Sequence, residues 1–323
     1  MGYVAGETIL DDEFNVFVAS SSDPYGFNHF AGTGATVYGL GQPAIPTVAG
    51  GTTTVAAAQW NSLLAGLDSI ANHTNDTMTA RTAVTAGDTI AIKSAVVADL
   101  ATLAASVAGG SVNATAISAG SELQSSRSST RYVGSHIVEH TVTFANANNM
   151  RFFFNAGGKI RVNLTRVANG GSSATSKDDS VDEMITAMGD FDIASIASTR
   201  SGTTETLTTD GLAIGFQDVT TSYQTVFLLT QANGTYTSMT LKGEIKGNAT
   251  AGSTTNVTIK MSLTDADSGD ILYTDGNVSS VDQFENFIGV TDFATKLILP
   301  TTAQGLDPVY TLSGSAETSN TTA

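Results

Sequence analysis

The sequence predicts an α+β protein in which a small helical N-terminal docking region precedes an antiparallel β-sandwich of jelly-roll-like form. Residues 1–110 contain apolar residues at the three- and four-residue spacing of a helix, whereas residues 134–312 contain seven or eight short segments of alternating apolar and polar residues. One helical segment interrupts the strands, whereas a parallel sheet requires regular alternation of helices and strands. Residues 111–133, rich in Gly and Ser, predict a linker, and polar residues 313–323 predict a flexible tail.

The helical region contains a diverged internal repeat. One copy starts at Gly6 and another at Gly51, and in each a Thr-[Ile/Val] pair is followed by an aromatic residue and Asn. A third, partial copy starts at Gly87 and continues into an Ala-rich helix without that pair. Either these residues form the region's own core or part of their apolar surface binds another protein. The candidate partner-docking residues are Phe14, Asn15, Phe17, Trp60, Asn61 and Leu64.

The predicted β region is organised around Gly134–Val167. Two β-prone runs flank a segment with three consecutive phenylalanines, which cannot all face inward on a strand. We therefore expect a short helical or irregular plug there that closes one end of the β core, followed by a tight turn at Asn155–Gly158. The predicted structural core residues are Phe144, Phe152, Phe153, Phe154, Ile160 and Val162.

Later segments continue the pattern of strands. A helix is predicted at Asp179–Met188, because Val181, Met184, Ile185 and Met188 have helical spacing. The predicted strands are Leu212–Phe216, Gln224–Thr230, Tyr236–Lys246, Val257–Leu263, Ile271–Tyr273 and Thr295–Leu299.

Arg151–Arg161, with the sequence RFFFNAGGKIR, resembles a motif of a family of virion structural proteins from tailed phages of the marine and cyanobacterial myovirus type. The YGLGQ segment at 38–42, the repeated N-terminal openings and the β segments of residues 215–267 resemble the same family in order and spacing. The resemblance covers most of the chain. Its motifs are structural, so they imply a particle component and no reaction.

The composition excludes several classes of function. Charged residues make up 14% of the chain, against roughly 25% in an average soluble domain, and the net charge is −16. This negative charge argues against binding to nucleic acid or to anionic lipid. There is no cysteine, which excludes disulfides and thiolate metal sites. No cleaved signal peptide and no apolar run of membrane-spanning length are expected.

Two histidines match a zinc-protease pattern, because His136 and His140 lie in an H-x-x-E-H sequence. That chemistry requires a helix, whereas the surrounding Ile, Val and Thr residues predict a strand. On a strand the two residues would be about 13 Å apart, too far to share one zinc ion. We therefore expect His140 to be half-buried in a sheet and His136 to lie near the end of its strand.

Other motifs are weaker. The acidic turn at Asp265, Asp267 and Asp270 could bind calcium, but it lacks the third ligand and the final Glu of an EF-hand loop, so a plain hairpin turn is the alternative. The Gly32–Val37 loop lacks the glycine spacing of a dinucleotide site. His29 and His73 are expected in polar loops. We expect no cofactor.

The leading expectation is a non-enzymatic virion structural protein of the neck, tail or baseplate, assembled in the host cytoplasm. It would act through contacts with other virion proteins and with copies of itself in a symmetric oligomer. Three alternatives remain. They are a receptor- or glycan-binding adhesin with exposed aromatic residues such as Tyr273 or Tyr310, an enzyme acting on envelope polysaccharide through scattered carboxylates, and a capsid decoration protein.

Overall fold

The computed structural model describes residues 11–32, 39–49, 55–88, 93–127, 135–167, 176–202, 207–231, 237–266, 290–307 and 310–322. The chain divides into two compact units, neither of which is continuous in sequence. The first comprises Met1–Ser118, Ala145–Gly158 and Leu299–Thr311, and the second comprises Ala119–Phe144, Lys159–Ile298 and Leu312–Ala323. The predicted α+β class with an antiparallel β-sandwich is confirmed. The predicted domain boundaries differ, since two segments expected in the β region belong to the helical unit.

The first unit is built from five helices of the described residues. They are α1 (Asp11–Val18), α2 (Phe27–Phe30), α3 (Ala57–Thr74), α4 (Lys93–Ala108) and α5 (Ala147–Asn155). The apolar residues of α3 with the three- and four-residue spacing of a helix form a stripe that is buried along its whole length, comprising Trp60, Leu63, Leu64, Leu67 and Ile70. Helices α1, α2 and α4 pack their own apolar faces into the same core cluster. The repeat in the sequence therefore encodes one shared helical core.

Helix α5 holds the three consecutive phenylalanines. The Asn146 side chain caps its start by accepting a hydrogen bond from the Asn149 N–H at 2.9 Å. Phe152, Phe153 and Phe154 are all buried, at 6%, 0% and 0% exposure. Successive helical residues are rotated by about 100°, so three adjacent buried rings require packing around most of the helix. The expected helix is confirmed, but it belongs to the first unit, so the expectation that it closes one end of the β core is wrong.

The second unit contains two sheets and one helix, α6 (Ser176–Met188). In the described residues the strands are β1 (Ile117–Arg127), β2 (Ser135–Phe144), β3 (Lys159–Val167), β4 (Phe191–Ile193), β5 (Ser198–Arg200), β6 (Leu207–Asp210), β7 (Gln224–Thr230), β8 (Met239–Gly247), β9 (Asn256–Asp265), β10 (Val290–Pro300) and β11 (Leu312–Thr322). One sheet has the order β1-β10-β3-β4-β5, and the other has the order β11-β2-β9-β8-β7-β6.

The two sheets pack face to face through the alternating residues that the sequence marked. On β2, every second residue from His136 to Phe144 is buried, and Ile160, Val162 and Leu164 are buried on β3. Phe191 of one sheet contacts Phe227 of the other with 5.1 Å between ring centroids. The predicted alternation of apolar and polar residues therefore corresponds to one buried face on β2, β3, β8 and β9.

Several segments differ from the sequence prediction. Residues 117–127, expected as linker, form β1, and residues 312–322, expected mainly as a flexible tail, form β11. Both strands lie at sheet edges and carry mostly Ser, Thr, Ala and Gly, so they lack the apolar alternation of a buried strand. The strand expected at Leu212–Phe216 is wrong, because β6 ends at Asp210 and a short 3₁₀ helix covers Phe216–Asp218. The short strands β4 and β5 were not predicted.

Several expectations fall on residues outside the described ranges. The acidic turn retains only Asp265 within them, since Asp267 and Asp270 are not described. Tyr273 with its expected strand, and most of the Gly32–Val37 loop, also lie outside the described residues.

Candidate functional site

The apolar side chains predicted to dock a partner lie in the interior of the first unit. Phe14, Phe17, Trp60 and Leu64 are exposed by 0%, 5%, 3% and 8%, respectively. Phe17 and Trp60 meet edge to face with 6.0 Å between ring centroids. Of the two alternatives that the sequence left open, these four residues therefore follow the first and form the unit's own core.

The asparagines of the repeat form hydrogen bonds with the backbone of neighbouring segments. Asn15 on α1 donates through Nδ2 to the Val48 carbonyl at 2.9 Å and accepts from the Val48 N–H through Oδ1 at 2.7 Å. Asn61 on α3 makes the same pair of bonds with Val84, both at 2.9 Å. Each amide thus satisfies both backbone groups of one residue in a neighbouring segment, as a paired strand would. We call this arrangement an asparagine clamp.

A third asparagine clamp was missed at the sequence level. Asn28 on α2 bonds both backbone groups of Ile45, each at 2.9 Å. Asn28 follows Phe27, so it carries the same aromatic–Asn pair as the two recognised copies. Searching for the dipeptide alone, without the preceding Thr, would have found it. The helical unit therefore uses its repeated motif to fix its own non-helical segments.

Two histidines lie inside the β-sandwich. His136 and His140, both on β2, are exposed by 0% and 3%, so the expected half-buried His140 is in fact fully enclosed. His136 Nδ1 lies 2.7 Å from Thr291 Oγ1, and its Nε2 lies 3.0 Å from Asn320 Oδ1. His140 is placed between Thr295 Oγ1 and Ser126 Oγ. Burial lowers the pKa of both imidazoles, and the nearby Glu317 opposes this only in part.

We call this buried row of hydroxyls and imidazoles the histidine ladder. Its geometry is not that of a catalytic site. The contact of Ser126 with His140 resembles a nucleophile beside its base, but Ser126 is only 1% exposed and His140 is oriented by a threonine hydroxyl. The zinc pattern is excluded as expected, since both histidines lie on one strand. Within the described residues, no group of three or more His, Asp or Glu is placed to hold a metal ion. The ladder joins β1, β2, β10 and β11.

The other two histidines do not lie in polar loops, so that expectation is wrong. His29 is on α2 and His73 is in the last turn of α3, with exposures of 3% and 0%. His73 Nε2 lies 3.0 Å from the Ala156 carbonyl, and burial lowers the pKa of His73. Because the residues around His73 in the sequence are polar, the sequence pattern did not predict that His73 lies on the inward side of a helix.

Among residues 94–108 of α4, whose burial the structure describes, the exposed side chains carry no charge, which is unusual for a helix facing water. Its exposed residues are Ser94, Val97, Ala98, Ala101, Thr102 and Ala105. Val97 is 48% exposed, among the most exposed large apolar residues described. Asp99 is turned inward, where it pairs with Arg81 and accepts hydrogen bonds from Thr79. We call the six exposed residues the α4 face.

Comparison of the chain with protein-family models, curated proteins and solved structures finds no match in any of the three. None of the helices in the described part of the chain combines the length and apolar character needed to cross a membrane.

Proposed function

We propose that the chain is a non-enzymatic structural component of a tailed-phage virion, an appendage protein of the neck, tail or baseplate such as a fibre or collar. It acts by contacts with other virion proteins and with copies of itself, and it enters the particle in the host cytoplasm. The resemblance of the RFFFNAGGKIR segment to phage structural proteins supplies the biological setting. The observation that carries an assembly role is the α4 face.

An uncharged helix face of small residues suits close packing against another protein. Alanine and serine let a second backbone approach closely, and Val97 adds an apolar contact. The docking surface of the helical unit is therefore assigned to α4, and not to the buried aromatic residues that were candidates in the sequence. A charge placed in the middle of this face would be buried without a partner on assembly, which is costly.

The test uses Ala101→Glu at the centre of the α4 face. Ala65→Glu is the matched control, since Ala65 is exposed on the neighbouring α3. Glu is a good helix former, so both variants should fold with melting curves close to that of the wild type. In complemented phage growth, quantitative mass spectrometry of purified particles should show about tenfold less of the Ala101→Glu chain, a loss equivalent to about 1.4 kcal/mol. Normal incorporation of Ala101→Glu, or equal loss with Ala65→Glu, would contradict the assignment.

A further inference from the structure

The outer face of the five-stranded sheet in the second unit carries a groove lined by both charged and apolar side chains. It has a volume of about 570 Å³ and lies across β1, β3 and β10, with the end of α6 along one side. That volume is within the usual range for small-molecule sites, about 300–1,000 Å³. The groove faces away from the histidine ladder, because Arg161 and Lys296 alternate with the buried residues of β3 and β10.

Small residues on three elements make the concavity. Ala294 lies on β10 between Asp292 and Lys296 on the same face, and Ala119 and Gly120 of β1 face it from the sheet edge. Gly189 follows α6 with φ 59°, and a Cβ there would lie 2.4 Å from the Gly202 nitrogen. The groove is therefore lined by several small residues beside long polar side chains.

The charged walls are held in fixed positions. Arg161 bonds Asp192 through Nε at 2.6 Å and Nη2 at 2.9 Å, and it pairs with Asp190 through Nη1 at 2.7 Å. Asn163 also donates to Asp190. About a third of each side chain remains exposed, 31% for Arg161 and 34% for Asp190. These groups can therefore still bond a ligand, and their mutual contacts reduce the entropy lost on binding.

Two further groups have no ion-pair partner among the residues that the structure describes. They are Lys296, which lies opposite Arg161 on the neighbouring strand, and Glu122 on β1. Asp292, at one end of the groove, is already engaged by Ser125 and by Arg127 at 2.9 Å. The groove thus presents both donors and acceptors, with three carboxylates against two cationic side chains. This balance disfavours an anionic ligand.

We propose that this groove binds a neutral saccharide. Sugar hydroxyls donate to carboxylates and accept from Lys and Arg, and the walls offer both kinds of group. The aliphatic floor formed by Ala294, Ile185 and Ile298 suits the C–H face of a sugar ring. A metal ion is a poor alternative, because no three metal-ligating side chains among the described residues converge there. The saccharide site does not depend on the assembly role of α4.

The test measures binding of the full chain to maltotriose, cellotriose, chitotriose and mannotriose by saturation-transfer NMR and calorimetry. Sialyllactose serves as the anionic probe. Two groove variants are compared, Lys296→Met, which removes a donor, and Ala294→Leu, which fills the floor. Lys242→Met is the control, since it removes the same charge from the other sheet, where the side chain is 36% exposed.

We expect at least one neutral trisaccharide to bind with a Kd of about 1 mM or tighter. Lys296→Met should weaken binding about tenfold and Ala294→Leu should abolish it, whereas Lys242→Met should leave it unchanged. Three results would each overturn the proposal: no neutral saccharide bound, binding insensitive to both groove variants, or binding of sialyllactose alone. Release of new reducing ends would leave the site standing but contradict the non-enzymatic function proposed above.

Discussion

Replacing Asn61 by Asp tests the asparagine clamp with a change of almost no volume. The wild-type amide donates to the Val84 carbonyl and accepts from the Val84 N–H, each at 2.9 Å. A carboxylate keeps the acceptor but loses the donor, and it sets a charged oxygen against the carbonyl oxygen. One lost hydrogen bond costs about 0.5–1.5 kcal/mol, and the facing oxygens add a desolvation penalty, so we expect a loss of about 2 kcal/mol.

The sign of the pH dependence makes this test specific. A protonated carboxyl can again donate to the Val84 carbonyl, so the folded state favours the acid form and raises the pKa of the new carboxyl. The stability of the variant should therefore approach that of the wild type below about pH 4, near the pKa of an unfolded Asp, and should be lost as pH rises through the folded pKa.

The assay is urea denaturation followed by far-UV circular dichroism, at pH 7 and at about pH 4. Asn72→Asp is the matched control, because Asn72 is exposed on the same helix and should change stability by less than about 1 kcal/mol. The reasoning would be refuted if both variants were equally stable at pH 7, or if the stability of Asn61→Asp did not approach that of the wild type as the pH falls to about 4.

Two further predictions concern the buried histidines and one loop glycine. Burial lowers the folded-state pKa of His73, His136 and His140, so the unfolded chain binds protons at a higher pH than the folded chain does. The urea concentration at the unfolding midpoint should therefore fall as the pH drops below about 6.5. An unchanged midpoint between about pH 7 and about pH 5 would contradict this prediction. Gly41 has φ 72°, and a Cβ there would lie 2.6 Å from the Phe152 ring. Gly87 has φ 97°, but nothing would lie within 4 Å of its Cβ. Gly41→Ala should therefore lower the thermal unfolding midpoint more than Gly87→Ala does. The left-handed backbone alone costs about 1–2 kcal/mol, so equal effects would mean that the Phe152 contact relaxes freely.

The inward-facing residues of the fold could be read from the sequence, because burial of one face imposes a pattern. Val138, Val142 and Phe144 alternate with polar residues, and the α3 stripe follows the turn of a helix. Edge strands β1 and β11 are not constrained in this way, since much of their surface faces water, and their Ser- and Thr-rich sequences are the same as those of loops.

Long-range polar contacts could not be read from the sequence. His140 meets Ser126, 14 residues away, and Thr295, 155 residues away, and no local pattern encodes either pairing. The asparagine clamps were visible only as a repeated aromatic–Asn pair, whose partners Val48 and Val84 have no distinguishing neighbours. By contrast, the α4 face could have been found by noting that residues 94–108 contain one charged residue, Asp99.

The most direct test of the assembly role is to locate the chain on particles. Gold-labelled antibody against the chain should mark the neck, tail or baseplate of density-purified virions from a phage that encodes it. Mass spectrometry of the same particles should give a copy number that matches the rotational symmetry of the labelled part. Particles that lack the chain while the lysate contains it would contradict the proposed function, and gold confined to the capsid shell would exclude the neck, tail and baseplate.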